Sequence, residues 1–239
     1  SRNWNTFINT LVPAINGGNL KRVVVTSSIA VYGAGQTPFT EKTTPEPEDL
    51  YGWSKLMMEK ALELLSPLHN FEYVITRPHN VYGPRQNMRD PFRNVVTIFM
   101  NQILKDEPIT IYGDGKQVRC FSYIYDVVDA IYRCGVIENP EKIYNVGSDK
   151  EYTVKELADT IVEIAGKGKI THLNDRPNEV KVATSSHELA KKDLGYEDSV
   201  TLRQGLLETW EYCSSEGPQQ VEYSGIEIYS DKLPDNWKK

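Results

Sequence analysis

RVVVTSSIAVYG, residues 22–33, opens with a β-branched run and passes into small hydroxyl residues. Three consecutive valines suit a strand buried on both faces, as in a parallel sheet, and the serines that follow mark where such a strand opens into a site. The same logic repeats downstream. GWSKLMMEKALELLS, residues 52–66, carries apolar side chains at helical spacing, and FEYVITRP, residues 71–78, reads as a second strand stopped by Pro78. A glycine and arginine loop comes next. A helix over 95–106 (VVTIFMNQILKD), a strand over 109–113 (ITIYG), a helix over 125–136 (YDVVDAIYRCGV) and a strand over 142–147 (KIYNVG) continue the series. Strands alternating with helices predict an α/β fold with a parallel sheet.

TVKELADTIVEIAG, residues 153–166, predicts a helix with Thr153 as N-cap and Glu156 three residues on, the pairing of a capping box. HELAKKDLGY (187–196) and LRQGLLETWEYCSS (202–215) add two helices with charged outer faces. The polar, proline-containing GIEIYSDKLPDNWKK (225–239) reads as a tail or a short edge strand, and no repeat or low-complexity segment interrupts the chain.

The 239 residues, 39% hydrophobic and 25% charged, suffice for one medium-sized domain or a larger one with a small appendage. A net charge of -6 and a pI near 5.4 argue against a dedicated nucleic-acid binder, so an anionic ligand needs local arginines. Cys120, Cys134 and Cys213 lie far apart, and their odd number does not suggest a disulfide framework; a reducing cytoplasm is the expected setting. No apolar run approaches the length of a membrane span, and SRNWNTF lacks the blocks of a signal peptide.

Three segments carry the chemistry: TSSIAVYG (26–33), YGWSK (51–55) and RPHNVYGPR (77–85), each at or just beyond the end of a predicted strand. In open α/β sheets ligands bind outside the carboxyl ends of the strands, which points these segments toward one crevice. Tyr51 and Lys55 are four apart and share a helix face. A phenol with an ordinary pKa near 10 is a poor base at neutral pH unless a positive neighbour favours the phenolate, and Lys55 supplies that charge. A chance surface pairing is the other reading of two such residues taken alone.

In their order and spacing TSSIAVYG, YGWSK, RPHNVYGPRQ, IYGDGKQVRCFSYIYDVVDA (111–130), NVGS (145–148) and RPNEV (176–180) resemble the extended short-chain dehydrogenase/reductase family, and within it the NAD-dependent nucleotide-sugar epimerases that are UDP-glucose 4-epimerase-like. The resemblance runs from about residue 3 to about 212. It implies a Rossmann-type, mostly parallel sheet with a smaller mixed α/β substrate lobe: residues 1–150 form the partial NAD-binding domain with a lobe insertion near 80–110, and 151–239 the substrate lobe and tail. It also implies the reaction: a proton leaves O4 of a UDP-hexose and a hydride leaves C4 for NAD, the 4-keto sugar turns, and the hydride returns to its other face.

By the same resemblance Tyr51 is the catalytic acid and base, Lys55 holds the nicotinamide ribose and lowers the phenol pKa, and Ser28 relays the proton. Asn3, Ser27, Pro78 and His79 join Tyr51 and Lys55 around the cofactor, His79 as a packed, uncharged ring. Arg119 and Arg176 clamp the diphosphate with forked guanidinium groups. Ser28, Asn80, Asn94 and Val95 line the substrate, and Tyr112 either packs on the uracil or belongs to the core. Ala183, seven residues beyond Arg176, leaves room for an N-acetyl group at the sugar's 2-position. Ile29 and Ala30 stand where sugar dehydratases of the family keep an acidic pair and decarboxylases a glutamate, so neither reaction is expected. No metal is called for.

One departure is plain. The family's opening strand, glycine-rich turn and helix, which receive the dinucleotide pyrophosphate, have no counterpart, since the glycines of NGGNLKR (16–22) precede a strand; on the order of 90 residues are expected ahead of this chain. Without the first strands the sheet presents an open edge, which calls for a covering chain. The family's dimer packs the Tyr-x-x-x-Lys helix and the helix before it into a four-helix bundle, so a homodimer is expected. Two alternatives stand beside the epimerase: another nucleotide-sugar epimerase or reductase of the family, or a non-catalytic sugar-nucleotide-binding fragment.

Overall fold

The computed structural model describes residues 2–175 and 181–221. In chain order the elements are α1 (Arg2–Asn16), β1 (Arg22–Thr26), α2 (Leu50–His69), β2 (Glu72–Pro78), β3 (Val81–Tyr82), α3 (Val95–Leu104), β4 (Ile109–Tyr112), β5 (Val118–Cys120), β6 (Ser122–Tyr123), α4 (Ile124–Val136), β7 (Ile143–Val146), β8 (Glu151–Thr153), α5 (Val154–Ala165), β9 (Ile170–Leu173), β10 (Val182–Ala183), α6 (Glu188–Leu194) and α7 (Leu202–Glu216), with a 3-10 turn at Ile29–Tyr32. The described residues fall into two compact units: residues up to His79 with 125–149 and 183–199, and residues 80–124 with 150–175, 181–182 and 200–221.

The first unit is built on a parallel sheet of order β1-β2-β7, with Val24 opposite Val74 and Ile75 opposite Ile143. Val25, Tyr73 and Ile75 point to one face, where Phe7 and Leu11 of α1 and Met58 and Leu62 of α2 cover them. Burial of each such side chain contributes roughly 2 kcal/mol. β2 is the central strand and is buried from Tyr73 to Pro78, which suits its apolar run from Tyr73 to Ile75. α2 begins at Asp49, whose Oδ1 accepts from the Gly52 N–H at 2.6 Å. It runs past Ser66 through Pro67 and ends at Asn70, a left-handed residue (φ 54°) whose N–H returns to the Ser66 carbonyl. The helix is therefore longer than the apolar spacing predicts, because a proline near the end of a helix removes a single backbone bond.

The second unit is a helical core with short ladders. Phe99, Met100 and Ile103 of α3, Leu157, Ala158 and Ile161 of α5, and Leu202, Leu206 and Cys213 of α7 are buried together with Ile109 and Ile111 of β4. The Thr153 capping box forms as the sequence predicts: Thr153 Oγ1 accepts from the Glu156 N–H at 3.0 Å, and Glu156 accepts from the Thr153 N–H at 2.7 Å. β3 pairs with β6 and β4 with β9, both parallel, and β5 with β8 antiparallel. The predicted tail at 225–239 lies outside the described residues.

Candidate active site

Tyr51 and Lys55 occupy the first turns of α2, and the Lys55 Nζ stands 5.8 Å from the centroid of the Tyr51 ring. The ammonium also donates to the carbonyl oxygen of Thr26 at 2.7 Å, which fixes it to the end of β1, beside Ser27 and Ser28. Burial lowers the Lys55 pKa, and the negative charge of Glu59 one turn further along opposes that shift. Ser28 is extended and N-caps the 3-10 turn, its Oγ accepting from the Ala30 N–H at 3.2 Å.

The turn carrying Ser28 lies against α2 because residue 52 is glycine. A Cβ there would stand 2.6 Å from the Ala30 carbonyl oxygen, closer than packed atoms allow. Thus YGWSK contributes three features of local geometry: a phenol, an ammonium and a gap into which the serine turn fits.

Beneath these groups lies a buried polar network absent from the sequence-based expectation. The Glu59 carboxylate accepts from Ser27 Oγ at 2.5 Å and from Arg77 Nε and Nη2 at 3.0 and 2.5 Å. Arg77 Nη1 donates to the Tyr32 hydroxyl at 2.8 Å, and that hydroxyl donates to Asn145 Oδ1 at 2.7 Å. Arg77 is 2% exposed and Glu59 1%, so this is an ion pair removed from water. Burial acts to lower the Arg77 pKa, but the bonds and charge of Glu59 outweigh it and the net shift is upward. The signal was in the sequence: a single arginine inside the apolar strand YVITRP, and a glutamate one turn after Lys55.

Pro78 ends β2, and His79 directly after it is buried. His79 Nε2 donates to the Ser148 carbonyl at 3.0 Å, which leaves Nδ1 to accept from Ser185 Oγ at 3.3 Å. His187 Nε2 lies 3.1 Å from the same Ser185 hydroxyl, and its Nδ1 meets the Asp149 carboxylate at 2.5 Å. Burial, reinforced by the neighbouring His187, pushes the His79 pKa down to about 3, so the ring is neutral as the sequence reading expects. The bond from His187, with help from Lys191, holds Asp149 at about 2. Asn3 is half-buried in the first turn of α1, and Ala183 is half-buried in β10.

In the second unit Asn80 Nδ2 donates to the Cys120 carbonyl at 2.8 Å, and the Val81–Ser122 pairing that follows keeps Asn80 next to the segment bearing Arg119. Arg119 Nη1 donates to the carbonyl of Val118 at 2.8 Å, and Tyr112 ends β4 half-buried, its carbonyl accepting from Gln117 Nε2 at 3.2 Å. Asn94 takes a left-handed conformation (φ 66°) at the start of α3, and Val95 packs on the α3 core. Arg176 lies outside the described residues. Among the described residues no group of three or more His, Cys, Asp or Glu converges as a metal ion requires.

Comparison with known proteins identifies the family. Residues 6–147 match the model of the NAD dependent epimerase/dehydratase family. UDP-N-acetyl-alpha-D-glucosaminuronate decarboxylase of Bacillus cytotoxicus is 31% identical over 221 residues, covering 84% of this chain and 65% of its own. The crystal structure of UDP-glucose 4-epimerase of Thermotoga maritima with UDP-glucose superposes with a TM-score of 0.80 at 30% identity, over 88% of this chain and 68% of that one. UDP-glucose 4-epimerase of Thermus thermophilus in complex with NAD gives 0.76 at 29% identity, over 86% and 68%. The chain spans 60% to 65% of the length of the first curated relatives it matches.

Proposed function

Because the chain belongs to the NAD-dependent epimerase/dehydratase family, we propose that it carries the catalytic and substrate-binding part of a UDP-hexose 4-epimerase working through a 4-keto sugar. The observation that carries this reading is the Tyr51–Lys55 couple, fastened by Lys55 to the Thr26 carbonyl two residues before Ser28. The adjacent ammonium favours the phenolate of Tyr51, which takes the O4 proton by way of Ser28 and later returns it. C4 loses and regains a hydride on opposite faces, so the product differs from the substrate only in configuration.

NAD, when bound, would supply the reversible acceptor for that hydride. Lys55, bonded at the carboxyl end of β1 with Tyr51 beside it, and Pro78 with the neutral His79 at the end of β2, would hold its nicotinamide end, with Ser27 and Asn3 in the same unit. Among the described residues no short glycine-rich turn joins a strand directly to a helix, so they offer no equivalent cradle for its pyrophosphate.

Asn80, Asn94, Val95, Tyr112, Arg119 and Arg176 serve the UDP portion, the arginines through charge-assisted bonds to the diphosphate. The small Ala183 admits 2-acetamido sugars beside the parent hexoses. Ile29 and Ala30 offer neither acid nor base in the serine turn, which favours epimerisation over the dehydration and decarboxylation found among relatives. On α2, Leu50, Trp53, Met57, Leu64 and Leu68 form an exposed stripe, and a second copy packed there makes the homodimer. No helix of the described residues is long and apolar enough to cross a membrane, and three buried free cysteines suit a cytoplasmic setting.

The test is conversion of UDP-galactose to UDP-glucose by the purified chain with added NAD. Conversion without net NADH supports the epimerase. UDP binding and NAD binding without conversion overturn it, and UDP binding without NAD binding favours the second reading, a sugar-nucleotide-binding fragment.

A further inference from the structure

The turn that bears Ser28 is held at both of its ends by one buried ion pair. At the front end Ser27 donates to Glu59, and at the back end Tyr32 accepts from Arg77. Glu59 and Arg77 are bonded to each other through two contacts, so the serine turn, α2 and β2 close into a ring of hydrogen bonds. Asn145 extends the ring to β7: its side chain accepts from Tyr32, and its N–H donates to Glu41 at 2.9 Å. The carboxyl ends of all three parallel strands thus meet at a single carboxylate–guanidinium pair.

Glu59 also lies four residues after Lys55 on α2 and is the charge that opposes the effect of burial on that ammonium. A hydrophobic pair of equal volume would fill the same space with no desolvation cost, so stability alone does not account for an ion pair here.

We propose that Glu59 and Arg77 are positioning residues for the reaction: together they clamp the Ser28 turn, and Glu59 sets its carboxylate one helical turn from Lys55. The mechanistic part rests on the reading of Ser28, Tyr51 and Lys55 given above. The physical part does not, because it concerns the geometry of a turn and the protonation of a lysine.

The test therefore reads those two quantities directly in the purified chain. Amide hydrogen exchange follows residues 30–32, and pH-dependent acylation read by mass spectrometry follows Lys55. Glu59→Gln leaves Arg77 uncompensated near Lys55, so acylation of Lys55 at neutral pH rises about threefold or more as more of the amine is neutral. Ser27→Ala and Tyr32→Phe each release one end of the turn, and exchange at residues 30–32 accelerates by about tenfold. Because Glu59→Gln leaves a buried charge unpaired, the double variant Glu59→Gln/Arg77→Met, which removes both charges, provides the folded comparison.

If the double variant folds and both the exchange and the Lys55 reactivity stay as in the parent, the clamp is wrong. If both quantities change as expected while the parent never converts a UDP-sugar, the clamp stands and the epimerase reading falls. Where turnover is measurable, the positioning role lowers kcat in Ser27→Ala and Tyr32→Phe and leaves the Kd for UDP unchanged. An unchanged kcat in both would overturn the mechanistic part.

Discussion

Lys55 Nζ bonds to the carbonyl oxygen of Thr26 at 2.7 Å while standing 5.8 Å from the ring of Tyr51. One ammonium thus couples the end of β1 to the phenol on α2. Replacing Tyr51 by Phe removes the transferable proton and leaves the packing surface of the ring. Turnover is expected to fall by about 10²- to 10⁴-fold with UDP affinity unchanged. Calorimetry with UDP beside the rate measurement decides it, since joint loss of both would assign Tyr51 a structural role.

Gly52→Ala forces a methyl group to within 2.6 Å of a backbone oxygen that belongs to the serine turn. Either the turn or α2 must shift, at a cost of about 1–3 kcal/mol. Gly17→Ala meets nothing closer than 3.5 Å and serves as a control expected within about 0.5 kcal/mol of the parent. Urea unfolding of the two variants measures the difference, and equal midpoints would show that the close approach carries no strain.

Stability should decline in acid, beginning well above the carboxylate range. His79 stays neutral in the folded chain down to about pH 3, whereas an unfolded histidine binds a proton below about 6.5. Between those limits the unfolded state holds more protons, so the chain loses up to about 1.4 kcal/mol per pH unit as pH falls and nothing from this group above 6.5. Asp149, held at about 2, adds its loss only between about pH 4 and 2. Unfolding free energies at pH 7.5, 6 and 5 give the slope, and His79→Phe should flatten it.

If Ala183 leaves the room for a 2-acetamido group proposed above, Ala183→Tyr fills it. The kcat/KM for UDP-N-acetylglucosamine should then fall at least about tenfold more than that for UDP-glucose. Equal losses for both sugars would place Ala183 away from the 2-substituent.

Trp53→Glu combined with Leu64→Glu puts two charges into the exposed stripe of α2. Sedimentation of the parent as a dimer and of the variant as a monomer is expected. A monomeric parent would remove the stripe as a self-association surface.

Much of the first unit was legible because its strands and helices carry strong periodic signals: RVVVT, YVITRP and the apolar spacing of α2 each need only local reading. The two- and three-residue strands β3, β5, β6 and β8 were not, since ladders that short have no periodicity and exist only through their partners. Nor does composition mark residues 183–199 as members of the first unit: Phe39 N donates to the Thr184 carbonyl and Ser186 N to that of Phe39, contacts between segments about 145 residues apart. Of the catalytic candidates, Tyr51 and Lys55 were singled out by their four-residue spacing, and Ser28 by the resemblance alone. Glu59 and Arg77 were visible as letters, but nothing in a helix turn tells an exposed glutamate from one sealed against an arginine eighteen residues away.

The Ser185 hydroxyl stands between two imidazoles and owns a single hydrogen. Since His79 spends its own N–H on Ser148, it accepts that hydrogen only when His187 gives one to Ser185. When His187 instead takes the hydrogen from Ser185, the nitrogen of His79 goes without. The two rings thus compete for one hydroxyl hydrogen. The orientation of that one hydroxyl links the loop bearing Asp149 to the end of the central strand.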